Sequence, residues 1–204
     1  ATFGYFCSLI TTYILKTSLK HIATISTGIY AKPDPIGQVK YLQVNHFNDA
    51  GKVFQLPFPE LELNDKTSKH LLKEGDVLFA AKGSRNFATQ VTSRFGLAVA
   101  SSTFFVVRLS THAMNQVIPE FLVWSINHPN NLNFLKGGAS GTSVPSIPKS
   151  VLEDLEIFIP PLHAQELILQ IHDLRQQEKE LKTKIESLKE KQIQQSLLNA
   201  LIQE

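Results

Sequence analysis

The sequence predicts an α+β fold: a β-rich body with short helices over residues 1–160, then one long coiled-coil helix over residues 161–204. Three observations predict it. Short apolar strokes separated by turn residues fill the first part, as expected of many short strands. No glycine or proline occurs from residue 162 onward, where apolar residues recur at alternating steps of four and three. Charge divides near the same place: residues 1–150 hold 14 Lys/Arg against 8 Asp/Glu, or +6, and residues 151–204 hold 6 against 10, or −4. A basic body and an acidic tail suit different partners.

The body begins with an uncharged run, residues 1–15, interrupted by Thr, Ser and Gly. Lys16 follows the run rather than preceding it, so it reads as a buried strand or short helix, not a secretory signal or a membrane span. A soluble, cytoplasmic chain is expected. The single cysteine, Cys7, fits a reducing compartment and excludes a disulfide framework and a cysteine-built zinc site. Ile22, Ile25 and Ile29 precede a loop at Lys32-Pro33-Asp34-Pro35-Ile36-Gly37, and Val39, Tyr41 and Gln43 open a strand. Asn48-Asp49-Ala50-Gly51 is a turn, and Gly75-Asp76 turns the chain into a short strand at Val77-Leu78-Phe79-Ala80.

Residues 82–96 have no clean period and read as an exposed loop or hairpin, whereas residues 98–109 read as one strand with Thr103, Phe105, Val107 and Leu109 on one face. Pro119 suits the first turn of a helix that Asn127-His128-Pro129 stops, with Trp124 in the core. A second helix, residues 130–136, ends at Gly137-Gly138, and residues 139–150 form a loop. Leu155, Ile157 and Ile159 alternate with Glu156 and Phe158 as the last strand, which Pro160-Pro161 closes.

In the tail, Leu167, Ile171, Leu174, Glu178, Leu181, Ile185, Leu188, Gln192 and Gln195 occupy the a and d positions of a heptad, apolar at six of nine. A helix over residues 164–197 is about 50 Å long at about 1.5 Å per residue. So narrow a stripe on so long a helix needs a partner helix, and the expected seam is Leu167, Ile171, Leu174, Leu181, Ile185 and Leu188.

Catalytic and cofactor signatures are missing. No Asn/Asp-Pro-Pro-aromatic run, glycine-rich methyl-donor loop or nucleotide phosphate loop is present, and Pro160-Pro161 follows Ile159. Glu180-Leu181-Lys182, the one acidic-x-Lys pattern of nuclease type, falls on a solvated face of the heptad helix. The seven histidines show no i, i+4 pairing, so no metal, cofactor or catalytic residue is expected. What remains suits binding. Lys82, Gly83, Ser84, Arg85 and Asn86 cluster donors for phosphates and base edges, with Arg85 and Asn86 the choices for base contacts. Lys136, Gly137, Gly138, Ala139, Ser140, Gly141, Thr142 and Ser143 offer amides and hydroxyls for close approach to a phosphate. Arg94 and Lys149 add positive charge. Composition alone also fits two ordinary exposed loops.

The order of these pieces resembles a known family. Gly75-Asp76-Val77-Leu78-Phe79 with Lys82-Gly83-Ser84 resembles the GDILF…G segment of type I restriction–modification specificity subunits. Residues 100–108 resemble the strand that follows, and Pro119-Glu120-Phe121-Leu122 with Asn127-His128-Pro129 the helix after it. Residues 139–149, ASGTSVPSIPK, resemble the SGT-x-x-P-x-I-x-K loop, and residues 155–165 the I-x-x-PPL-x-x-Q stretch that launches a long helix. Five motifs stand in the family's order over residues 70–190.

The resemblance implies a target recognition domain (1–160) that reads a half-site in double-stranded DNA, and a coiled-coil helix (161–204) for dimerisation and spacing. It implies a subunit without catalytic residues, acting with methyltransferase (modification) and endonuclease/translocase (restriction) subunits. Family members carry two such units in tandem, with their two long helices antiparallel; this sequence contains one. An antiparallel homodimer through the tail is therefore expected, reading a palindromic target whose half-sites lie about 34–36 Å apart. Two other readings are a specificity region of a fused methyltransferase–endonuclease and a coiled-coil adaptor that binds no DNA.

Overall fold

The computed structural model describes residues 14–33, 37–141 and 144–202. The chain forms two compact units, residues 1–165 and 166–204. The first is built of three small sheets. β1 (Leu15–Ser18) pairs antiparallel with β9 (Glu156–Ile159), which brings the first and last described strands of the unit together. β2 (Ala23–Thr27), β8 (Phe104–Leu109), β5 (Val77–Ala80) and β6 (Ala88–Gln90) form an antiparallel sheet in that order. β4 (Pro59–Leu61), β3 (Val39–Leu42) and β7 (Ala98–Ala100) form the third, with β3 and β7 parallel.

β5 and β8 are central strands, so both faces are covered and nearly every residue of the two is buried. Leu78, Ala80, Phe104 and Val106 of the four-stranded sheet share one core with Leu42, Ala98 and Ala100 of the three-stranded sheet. Phe47, Phe87 and Phe104 pack at its centre, with ring centroids 5.6, 5.6 and 6.2 Å apart in tilted and edge-on geometry. Ile29, Val39, Tyr41, Leu61 and Val99 form a second core cluster.

The helices Pro119–Ile126, Pro129–Gly137 and Lys149–Glu153 are short; proline opens the first as expected, and Pro129, expected to stop that helix, opens the second. The last strand alternates as its sequence predicts: Ile157 and Ile159 are buried while Glu156 and Phe158 are exposed. The second unit is one helical segment, the greater part of the Leu162–Ile202 helix.

Four local expectations change. Residues 98–109 are two strands, because the chain turns at Ser101–Thr103 and leaves one sheet for another. Residues 82–96 are a hairpin whose return strand is buried, Phe87, Ala88 and Val91 lying in the core. The predicted loop over 139–150 already enters a helix at Lys149. Trp124 is half-buried, stacked on Phe121 at 5.4 Å and edge-on to His128 at 5.9 Å. Most of the uncharged N-terminal run lies outside the described residues; Ile14 and Leu15, at its end, are exposed.

Candidate nucleic-acid interface

The first predicted cluster is the tip of the β5–β6 hairpin. Phe79 pairs with Ala88, and Val77 with Gln90, so residues 81–87 make the turn. Gly83 takes φ +97° there, a value that a side chain would strain. Lys82 and Ser84 are exposed. The Asn86 amide donates to the Ala80 carbonyl at 3.0 Å, closing the turn on itself, so one of its donors is committed internally.

The second predicted cluster lies beside the first. Ser146 makes β-bridges to both Ser140 and Lys82, and the Gly83 and Ile147 N–H groups donate to the carbonyls of Pro145 and Ala81, each at 2.9 Å. The two donor-rich loops, far apart in sequence, are thus stitched edge to edge. Lys136 is exposed in the last turn of the Pro129–Gly137 helix, shortly before Ser140. Lys149 is exposed at the start of the next helix and pairs with Glu153 at 3.2 Å. Thr142 and Ser143 lie outside the described residues. Arg94 is not brought to this place. It follows the strand end that holds Gln90, the far end of the hairpin, and rests over the Phe95 ring at 5.5 Å.

Arg85 is engaged within the chain. Its guanidinium donates to the carbonyls of Phe47 and Val44 at 3.1 and 3.4 Å and stands 3.6 Å from the Asp49 carboxylate. Val44 opens the 3-10 turn Val44–His46 and Phe47 follows it; only Gln43 separates the turn from β3. Arg85 also lines a groove of about 600 Å³ with Tyr30, Gln43, Asn45, Ser102 and Thr103. The Ala81 N–H donates to the Thr103 carbonyl at 3.0 Å, so groove and hairpin tip share one end of the sheet. Ser101 of the same groove is held against Gly28 and Ile29: a Cβ on Gly28 would land on the Ser101 carbonyl oxygen, and Ile29 bridges Ser101.

Sequence reasoning missed this groove. Its one local signal was the polar triplet Gln43, Asn45, His46 immediately after a strand. Burial holds the His46 imidazole below the ordinary histidine value, and its Nδ1 accepts the Gln43 N–H at 3.1 Å.

Residues 18–193 match the family described as Type I restriction modification DNA specificity domain. The chain belongs to that family. Solved structures agree in fold: the S subunit of a type I restriction-modification system from M. genitalium has a TM-score of 0.56 at 14% identity, over 80% of this chain and 39% of that one. The HsdS subunit from Thermoanaerobacter tengcongensis has a TM-score of 0.63 at 19% identity, over 84% and 44%. A chain from a structure on complex assembly and conformational transition of the type I R-M system has 0.64 at 18%, over 85% and 45%. This specificity-domain chain therefore spans less than half the length of those proteins. Among curated proteins no relative matches it.

Two motifs that carried the resemblance have visible jobs. In the Gly75-Asp76 segment of this specificity domain, Asp76 is buried and receives Arg108 in a fork, Nε to Oδ1 at 2.7 Å and the second nitrogen to Oδ2 at 2.6 Å. That bond raises the Arg108 pKa above the ordinary arginine value and ties β5 to β8. In the Pro-Pro-Leu stretch, Gln165 is fully buried and fastens the first turn of the long helix to the body. The expected seam residues Leu167, Ile171, Leu174, Leu181, Ile185 and Leu188 are 42–65% exposed on the single chain. Among the described residues no helix is long and apolar enough to cross a membrane, and no three metal-ligating side chains gather.

Proposed function

We propose that the body is a target recognition domain that reads one half-site of duplex DNA with the end carrying Lys82, Ser84, Lys136 and Ser140. One observation carries this reading: in a chain of this family, Ser146 bridges the two donor-rich loops into a single surface. Lys82 and Lys136 are the phosphate contacts, with Lys149 at the edge. The chain itself is non-catalytic and works in the cytoplasm, holding separate methyltransferase and endonuclease/translocase subunits at the site. The boundary between recognition domain and coiled coil falls near Pro160-Pro161.

The tail pairs antiparallel with a second copy. An exposed apolar stripe running along one helix face supports this, and two copies would set two recognition domains on a palindromic, interrupted target. Light scattering on the Leu174→Glu, Leu181→Glu double variant tests it: a dimeric wild type and a monomeric variant are expected, and a monomeric wild type at micromolar concentration overturns the homodimer.

For DNA, fluorescence anisotropy of a duplex across a salt series is the test. Replacing Lys82, Lys136 and Lys149 by Gln should weaken binding alike on all sequences and flatten the log–log salt slope by about 0.9 for each phosphate no longer neutralised. Unchanged affinity at low salt places the DNA elsewhere.

A further inference from the structure

We infer that Asn45 is the residue that reads a base edge in the groove, an adenine, and that Arg85 is its positioning residue rather than a reader. This rests on the proposed reading of the body as a duplex DNA reader and names where in it one base pair is recognised.

The backbone around Asn45 is fixed from both sides. The turn starts just after β3, and a reciprocal pair of bonds closes it: the Gln43 carbonyl accepts the His46 N–H at 3.0 Å, and His46 Nδ1 accepts the Gln43 N–H at 3.1 Å. Arg85 then donates to the carbonyls of Val44 and Phe47, one on either side. Phe47 is buried at the centre of the aromatic core, so the clamp is referred to the most rigid part of the unit. The Asn45 side chain, by contrast, is exposed on the groove and makes no hydrogen bond among the described residues.

A fixed backbone carrying an uncommitted amide is the arrangement that loses least entropy on binding. An asparagine amide presents one donor and one acceptor side by side, the complement of adenine N7 and N6 in the major groove. Arg85 lacks that freedom, because two of its nitrogens are held by carbonyls. Of its five N–H donors three remain, on a fork whose orientation the two carbonyls set. Ser102 and the 70% exposed Tyr30 line the same groove and are available as further contacts to the DNA.

The experiment is selection from a randomised duplex library with the full chain, wild type against Asn45→Ala, Arg85→Ala, Arg85→Lys and the Asn45→Ala, Arg85→Ala double variant, each checked for a wild-type circular dichroism spectrum. Wild type should enrich one motif. Asn45→Ala should lose preference at a single A·T position and bind the wild-type site about 5- to 150-fold more weakly, the equivalent of about 1–3 kcal/mol. Arg85→Ala should blur the same position, Arg85→Lys should restore part of the preference, and the double variant should select no worse than Asn45→Ala alone. An unchanged motif for Asn45→Ala, a change at a G·C position, or an Arg85→Ala effect spread evenly over all sequences overturns the inference while the DNA-reading function stands. A wild type that enriches nothing overturns that function, and the inference with it.

Discussion

Gln165 gives the sharpest structural test, because a buried side chain there serves three backbone groups at once. Its Oε1 accepts the Ile118 N–H at 2.9 Å, and its Nε2 donates to the carbonyls of Gln116 at 2.7 Å and Pro160 at 2.8 Å. Residues 116–118 lead into the Pro119–Ile126 helix, and Pro160 ends β9, so one amide joins three segments of the body. Gln165→Ala deletes all three bonds and leaves their partners facing a cavity. At a net of about 0.5–1.5 kcal/mol per bond, the loss is about 1.5–4.5 kcal/mol. For a chain of this size that lowers the melting temperature by about 6–12 °C for a mid-range loss, at about 2–4 °C per kcal/mol. Gln165→Glu has the same shape but at neutral pH cannot donate, and its charge would face two carbonyl oxygens. It should melt no higher than the alanine variant and recover partly in acid, where a protonated carboxyl donates once. Circular dichroism melts of the three proteins decide it. A melting temperature for Gln165→Ala within about 2 °C of wild type refutes the reasoning.

Three further outcomes follow from single contacts. His46 is held below its ordinary value of 6.5 in the fold, so the unfolded chain takes up the proton first; stability is full above pH 6.5 and is lost as the pH falls through the folded value. His46→Asn, which keeps an acceptor for the Gln43 N–H, should flatten that fall in a melting-temperature series over acid pH. Asp76→Ala should cost about 3 kcal/mol in urea unfolding, the low end for a broken buried pair, because Arg108 is 34% exposed and regains water. Gly28→Ala places a methyl on the backbone oxygen of Ser101, which cannot move without parting β7 from its neighbours, so a loss of about 3 kcal/mol or more is expected by thermal unfolding. A wild-type melting curve for Gly28→Ala would show that the Ser101 backbone yields.

Much of the fold was legible where local chemistry and tertiary packing agree. The Gly75-Asp76 turn into β5, proline at the start of Pro119–Ile126, and the alternation of Leu155, Ile157 and Ile159 all announce themselves within a few residues. The break at Ser101–Thr103 did not. All three residues tolerate a strand, and what divides β7 from β8 is a change of pairing partner, β3 on one side and β2 with β5 on the other. The same limit applied to the site. Its two loops were legible as donor clusters, but their junction through Ser146 is a long-range pairing that composition does not encode. Arg85 reads as a base contact until its carbonyl partners, 38 and 41 residues away, are seen. Asn45 carries no motif and gains meaning only from the turn that holds it.

As proposed above, this chain dictates which DNA sequence is modified. The most direct measurement is the methylome of a host carrying the gene, compared with the same host after its deletion. Loss of methylation at one interrupted sequence, with every other methylated motif intact, is the predicted result. A methylome that is the same with and without the gene, in cells that express the chain and its methyltransferase partner, would contradict the account.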